Sequence, residues 1–307
     1  MRNPDVRAVY LITGAGGGVG SVSRRVVELL LGAGEHVRAM VRRHDDRADQ
    51  LKALGAEVVV GDLTRAGDIA AAMRGATRMF FNMSVSADYL LATAEVCAVA
   101  LERGQLDAIV NMSQMTVSQM TLTSTGESHH QRLHWLAEHV LNWSGLAVIH
   151  VRPTAFLDNP LFTFLAAPTI RDRGVLALPF GTGRTSPIAA ADVARVVAAL
   201  LRDPADRVGN VYELTGPEAL DIDGLAERYA RALGQPVAGE DVPYDEWQRE
   251  VLAPIGLPEH VEQHIATMAR LHREDRYNRA TNDVERITGQ PAQTVEQYVA
   301  SNRDLFY

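Results

Sequence analysis

The run Tyr10-Leu-Ile-Thr-Gly-Ala-Gly-Gly-Gly-Val-Gly20 limits what this chain can fold into more than any other feature. Apolar residues from Val6 to Thr13 predict a buried strand, a glycine-dense turn follows, and Ser21 to Leu31 predicts a helix. Strand, glycine turn and helix in that order build an anion cradle. Glycine lets the backbone approach a ligand closely, and the first turn of a helix offers N–H groups that need acceptors. Each glycine also costs backbone entropy, so their concentration here requires a reason. The spacing is open to two registers. Gly14, Gly17 and Gly20 fit G-x-x-G-x-x-G, whereas Thr13, Gly14, Gly18 and Gly20 fit T-G-x-x-x-G-x-G.

Strands and helices alternate after this turn. Strands are expected at His36 to Val41, Glu57 to Val60, Arg78 to Met83, Asp107 to Met112 and Ala147 to Val151. Helices are expected at Arg47 to Leu54, Ile69 to Met73, Ala87 to Arg103 and Glu127 to Trp143. Alternation of this kind with apolar strands predicts an α/β fold, a Rossmann-type doubly wound parallel sheet covered on both faces. Beyond Pro153 the pattern changes. Residues 154–187 read as loop with a short helix, Ala190 to Leu201 as a helix, Val211 to Leu214 as a strand and Asp221 to Leu233 as a helix. The tail from Asp245 reads as helical, with breaks at Pro254, Pro258 and Pro291. The expected organisation is a nucleotide-binding domain over 1–153, with 188–215 returning to it. A smaller, mostly helical substrate lobe would comprise 154–187 and 216–307.

Composition narrows the function classes. A net charge of −8 argues against a nucleic-acid surface, which needs a basic stripe. No apolar run reaches the roughly 18–20 residues that span a bilayer, and the charged start shows no leader pattern. The single cysteine, Cys97, allows no internal disulfide and fits a reducing, cytoplasmic setting. These features leave a small molecule as the expected partner.

Which dinucleotide the cradle takes is decided at the end of the second strand. An acid there bonds the ribose diol of NAD, and arginine there grips the 2′-phosphate of NADP. Arg42 and Arg43 end that strand and favour NADP(H), with NAD the less favoured cofactor. Asp45 and Asp46 follow and keep the ribose reading open. Asp62 and Leu63 close the third strand, where a carboxylate can meet the adenine amino group. Asn82, Met83 and Ser84 close the fourth, where the chain passes the cofactor ribose.

At this point the chain resembles the NmrA-like branch of atypical short-chain dehydrogenases over almost its whole length. The resemblance rests on the glycine turn, Val37 to Arg42, Gly61-Asp62-Leu63 and Glu138 to Gly145. It continues through Val151 to Asn159, Asp192-Val193-Ala194 and Tyr212 to Pro217. It implies NADPH-dependent reduction of a small hydrophobic carbonyl, quinone or enone. The same branch includes redox sensors that bind NADP, do no chemistry and act through a protein partner. The cofactor contacts it implies are Thr13, Gly14, Ala15, Gly17, Gly18, Val19, Gly20, Arg42, Arg43, Asp62, Leu63, Asn82, Met83, Ser84, Met112, His134, Pro153 and Phe156.

The Tyr-x-x-x-Lys pair of many short-chain dehydrogenases is missing, because Lys52 is the chain's one lysine and lies far from the expected place. Relatives often keep a lysine four residues before the glutamate of the fifth helix, and here that place holds His134. A histidine beside the nicotinamide ribose can donate a proton near neutral pH, so His134 is the candidate general acid. Ser113, at the end of the fifth strand, can bond a substrate carbonyl. His130 with His134, and His260 with His264, stand at i,i+4 spacing, but no third ligand accompanies them, so solvated helix faces are expected and no metal. Met115 and Met120, and Phe156, Phe162, Phe164 and Phe180, read equally well as core or as pocket wall.

Overall fold

A computed structural model describes residues 8–17, 21–104 and 106–307. The chain divides into two compact units. The first is Met1–Gln114, Arg132–Arg152 and Val193–Tyr212, and the second is Met115–Gln131, Pro153–Asp192 and Glu213–Tyr307.

The elements are β1 (Val9–Ile12), α1 (Val22–Gly32), β2 (His36–Val41), α2 (Asp46–Ala53), β3 (Glu57–Val60), α3 (Ala66–Ala72), β4 (Ala76–Phe81), α4 (Tyr89–Arg103), β5 (Ala108–Met112), α5 (His129–Trp143) and β6 (Val148–Pro153). After these come α6 (Ala167–Arg173), β7 (Val175–Leu178), α7 (Ala190–Arg202), β8 (Val211–Leu214), α8 (Ile222–Leu233), β9 (Ala238–Asp241), α9 (Tyr244–Trp247), α10 (Glu259–Arg273), α11 (Asp283–Thr288) and α12 (Val295–Ser301).

Seven strands form one sheet in the order β3-β2-β1-β4-β5-β6-β8. Parallel pairing sets Leu11 of β1 opposite Arg38 on one side and Met79 on the other. Parallel strands buried on both faces need no polar alternation. Accordingly Leu11, Ile12, Phe80, Phe81, Ile109 and Val110 are all fully buried. Around these strands the first unit's core gathers Met79, Tyr89, Val96, Ala137 and Leu141, from β4, α4 and α5. α4, α6, α8 and α11 stop where the chain turns left-handed at glycine, as at Gly104 (φ 59°) after α4.

The fourth strand lies two residues earlier than its apolar pattern predicts, at Ala76–Phe81 instead of Arg78 to Met83. Its ladder ends because the Asn82 N–H donates to the Thr13 hydroxyl (2.9 Å) and so leaves the sheet.

In the second unit, β7 and β9 form a parallel pair, Leu176 opposite Gly239. Neither strand is expected from the sequence. β9 reads Ala-Gly-Glu-Asp, with no apolar alternation, so pairing and not intrinsic preference makes it a strand. The unit's core holds Phe162, Phe180, Tyr229, Trp247, Leu271 and Phe306. α10 starts after Pro258 and α12 carries a reciprocal Thr294/Gln297 capping box, which explains how a polar tail holds regular helices. Among the described residues no helix is long and apolar enough to cross a membrane.

Candidate functional site

The sheet reverses its winding between β1 and β4, and ligands of open α/β sheets bind at the strand ends beside such a switch point. Thr13 and Asn82 close that seam. The Thr13 hydroxyl, itself fully buried, donates to the Asn82 carbonyl (2.8 Å) and accepts from its N–H. The Asn82 side chain then donates to Ser23 Oγ in α1 (2.9 Å). Thr13 therefore acts by holding Asn82 in place.

Gly14 lies on this seam at φ +71°, and a Cβ there would fall 2.7 Å from the Asn82 carbonyl oxygen. The Gly17 N–H donates to the Gly14 carbonyl (3.0 Å), and a Cβ on Gly17 would lie 3.0 Å from that oxygen. Side chains at either position would fill the turn. Among the described residues, the Ser21 side chain makes no capping bond to the first turn of α1, and that turn holds no acidic residue. A glycine turn of this kind beside a helix start fits a diphosphate. Ala15 is buried behind the turn. Gly18, Val19 and Gly20 lie outside the described residues, so the turn's register stays open.

Beyond β2, the Arg42 and Arg43 side chains are 79% and 78% exposed. Their carboxylate neighbours are distant, Asp62 at 3.7 Å from Arg42 and Asp45 at 3.5 Å from Arg43. Asp45 caps α2 by accepting from the Arg47 and Ala48 N–H groups, and it pairs with the Arg47 guanidinium (2.6 Å). That pairing holds its carboxyl down at about 2. Asp62 accepts from the Thr64 N–H (2.9 Å) and hydroxyl (2.8 Å), bonds that keep its carboxyl below the usual carboxylate range. Leu63 and Met83 pack onto the core of the unit, while Ser84 is exposed beside the turn.

A second cluster lies at the end of β5. Tyr89, fully buried at the start of α4, donates its hydroxyl to the Met112 carbonyl (3.0 Å). Its ring packs on that of His134, centroids 4.2 Å apart. His134 is buried, as is Ser113, which lies against Glu138. One turn beyond His134 on α5, Glu138 accepts a forked pair from Arg152, Nε–Oε1 at 2.9 Å and Nη2–Oε2 at 2.5 Å. Burial raises the Glu138 pKa, but the hydrogen bonds and charge of Arg152 outweigh it and the carboxylate stays ionised below its ordinary value. Behind this pair, His150 stands between Asn111 and Asn142, 3.0 Å from each amide. Asn142 can only accept at Oδ1, so Nε2 carries the proton and Nδ1 accepts from Asn111. Burial pushes the His150 pKa down, which suits that neutral form.

Pro153 and Phe156 belong to the second unit, where Pro153 ends β6 and Phe156 bridges Ile188. Phe162, Phe180 and Met115 are core, Met120 is buried, and Phe164 is exposed. The expectation of solvated faces fails at His130 and His134, which are both buried, and at His264. The His264 Nδ1 lies 2.9 Å from Ser128 Oγ, its ring meets that of His130, and burial pushes its pKa down to about 4. Among the described residues no group of three or more His, Cys, Asp or Glu is placed to hold a metal. A cavity of 290 Å³ opens at the starts of the strands, among Val9, Leu31, Glu35 and His36, away from the switch point.

Sequence reasoning missed Tyr89, Arg47 and the Asn111–His150–Asn142 chain. Asp45 before an amphipathic segment is a readable N-cap signal, which would have removed it from the ribose reading. Nothing local marks Tyr89, since only folding brings it to His134.

A family model described as NAD(P)H-binding matches residues 17–204. An NAD(P)H azoreductase of Xenophilus azovorans is 26% identical over 292 residues, covering 94% of this chain and 97% of that one. A (4-alkanoyl-5-oxo-2,5-dihydrofuran-3-yl)methyl phosphate reductase of Streptomyces griseus is 28% identical over 298 residues, covering 97% and 99%. Among solved structures, an NADPH-dependent quinone oxidoreductase from Escherichia coli, complexed with NADPH, superposes with a TM-score of 0.82. It is 22% identical and covers 96% of this chain and 99% of its own. NmrA, a negative transcriptional regulator in complex with NADP, superposes at 0.80 with 18% identity, over 96% and 95%. At these identities the two structures show a shared fold, with the parallel seven-stranded sheet and a helical C-terminal part.

Proposed function

Because this chain belongs to the NAD(P)H-binding family, we propose that it is an NADPH-dependent reductase of a small hydrophobic carbonyl, quinone or enone. The observation that carries this reading is the turn at the switch point, where a Cβ on Gly14 or Gly17 would crowd the backbone at 2.7 and 3.0 Å. The relatives support the class. One is an NAD(P)H azoreductase and the other a reductase of a dihydrofuranylmethyl phosphate. When bound, the reduced nicotinamide would supply the hydride. The chain's own residues bind and orient. Gly14 and Gly17 leave room for the diphosphate, and Arg42 and Arg43 offer charge-assisted donors to a 2′-phosphate. His134 is the candidate proton donor and Ser113 the candidate carbonyl partner, both at the β5 end, with Glu138 and Arg152 fixing α5 to β6 beside them.

A second reading, a silent NADP(H)-binding sensor acting through a protein partner, is favoured by one observation. His134, which takes the place of the relatives' lysine, is packed on the buried Tyr89 ring. NADPH consumption against a panel of quinones and enones separates the two. Steady loss with one acceptor supports the reductase, and tight cofactor binding with no loss for any acceptor supports the sensor. His134→Ala with unchanged turnover would remove His134 from the mechanism. Arg42→Ala is expected to weaken NADPH binding by about tenfold or more, and to leave NADH nearly unchanged.

A further inference from the structure

The β2–α2 connection carries both signs of charge. Arg42, Arg43 and Arg47 alternate with Asp45, Asp46 and Asp49 within one short stretch. A free carboxylate here would favour a ribose diol and repel a 2′-phosphate. The structure shows why Asp45 is not free. Its Oδ1 accepts from the N–H groups of Arg47 (3.1 Å) and Ala48 (3.4 Å). Its Oδ2 takes the Arg47 fork, Nη2 at 2.6 Å and Nε at 3.2 Å, with Arg43 Nε a further 3.5 Å contact. The remaining Arg47 amine, Nη1, donates to the Gly16 carbonyl (2.6 Å), tying this connection to the glycine turn.

We infer that Arg47 sets the cofactor specificity of this site: it occupies the Asp45 carboxylate beside Arg43, so this end of β2 favours a dinucleotide with a 2′-phosphate over one with a free diol. Arg47 is a positioning residue in this scheme. It acts through Asp45 and Gly16, while Arg42 and Arg43 meet the phosphate. The inference rests on the NADPH reading proposed above.

The test measures dissociation constants of NADPH and NADH by calorimetry on the full chain. Wild type is expected to bind NADPH at least about tenfold tighter than NADH. Arg47→Gln removes the charge and, being shorter, also gives up the Nη1 bond to Gly16. It is expected to lower that preference by about tenfold, because Asp45 regains a free carboxylate oxygen. Adding Asp45→Asn, which still caps α2, is expected to restore most of the preference. Arg47→Lys, which keeps a cation beside Asp45, should hold it within about threefold of wild type. Should Arg47→Gln weaken both dinucleotides equally, Arg47 only braces the turn and the inference fails. It fails equally if Asp45→Asn restores nothing, or if the lysine variant behaves as the glutamine one. Equal affinity of wild type for both dinucleotides would overturn the NADPH reading itself, a result distinct from each of the others.

Discussion

Gly14→Ala tests the cradle most sharply, and its cost follows from two separable terms. The residue holds φ +71°, a left-handed conformation that costs an alanine about 1–2 kcal/mol. Its new Cβ would also stand 2.7 Å from the Asn82 carbonyl oxygen, 3.2 Å from the carbonyl carbon and 3.3 Å from Ser23 Oγ. The first two are backbone atoms pinned by Thr13, so they cannot swing aside, and overpacking of that kind costs about 1–3 kcal/mol more. The total is about 2–5 kcal/mol. Gly34 provides the control. It has φ +78° and nothing within 4 Å of a Cβ, so Gly34→Ala should cost the backbone term alone, about 1–2 kcal/mol. Denaturant unfolding of both variants measures the difference, and calorimetric titration with NADPH measures its effect on the site. Gly14→Ala should lose more stability and bind at least about tenfold more weakly, since moving Asn82 moves the turn; Gly34→Ala should bind as wild type does. Equal destabilisation by the two variants, or full NADPH affinity in Gly14→Ala, refutes the reasoning.

Glu138→Gln leaves the Arg152 guanidinium without its counter-charge in a mostly buried place, and should cost about 3 kcal/mol in denaturant unfolding, where a loss under about 1 kcal/mol would mean the pair is not holding α5 to β6. His272, fully buried, lies between the rings of Phe180 and Tyr277, and burial pushes its pKa from 6.5 down to about 3. The unfolded chain takes up a proton that the folded ring refuses. The stability this neutral ring supports is therefore complete above pH 6.5 and is lost as pH falls from there towards 3, by about 1.4 kcal/mol per pH unit. His272→Leu should flatten the slope of unfolding free energy against pH in that window, and an unchanged slope counts against the assignment. Tyr89→Phe removes the donor to the buried Met112 carbonyl and should cost about 1–3 kcal/mol by the same unfolding measurement, so an indistinguishable stability would show the bond to be unimportant.

Much of the fold is legible in the sequence, because strands buried on both faces announce themselves as unbroken apolar runs. β2, β3 and β8 span the expected residues even though Arg38, Glu57 and Glu213 break or flank their apolar sequences. What is illegible is whatever depends on a partner distant in sequence. β9 has no strand character of its own and exists through pairing with β7. His264 looks like half of a solvated pair until Ser128 and His130 are seen against it. The glycine turn is readable as a cradle, but its tightness comes from Asn82, sixty-odd residues on, held by Thr13 (2.8 Å). Asp45 shows the same lesson at the site. Its place before α2 marks it as an N-cap in the sequence, but that Arg47 also takes its second oxygen is seen only in the fold.

The central claim is that the turn from Gly14 to Gly17 holds a nicotinamide dinucleotide. Calorimetric titration of the wild-type chain with NADPH tests it most directly. A saturable heat with one site per chain is the expected result. No heat with either NADPH or NADH, from a chain shown to be folded, would contradict it.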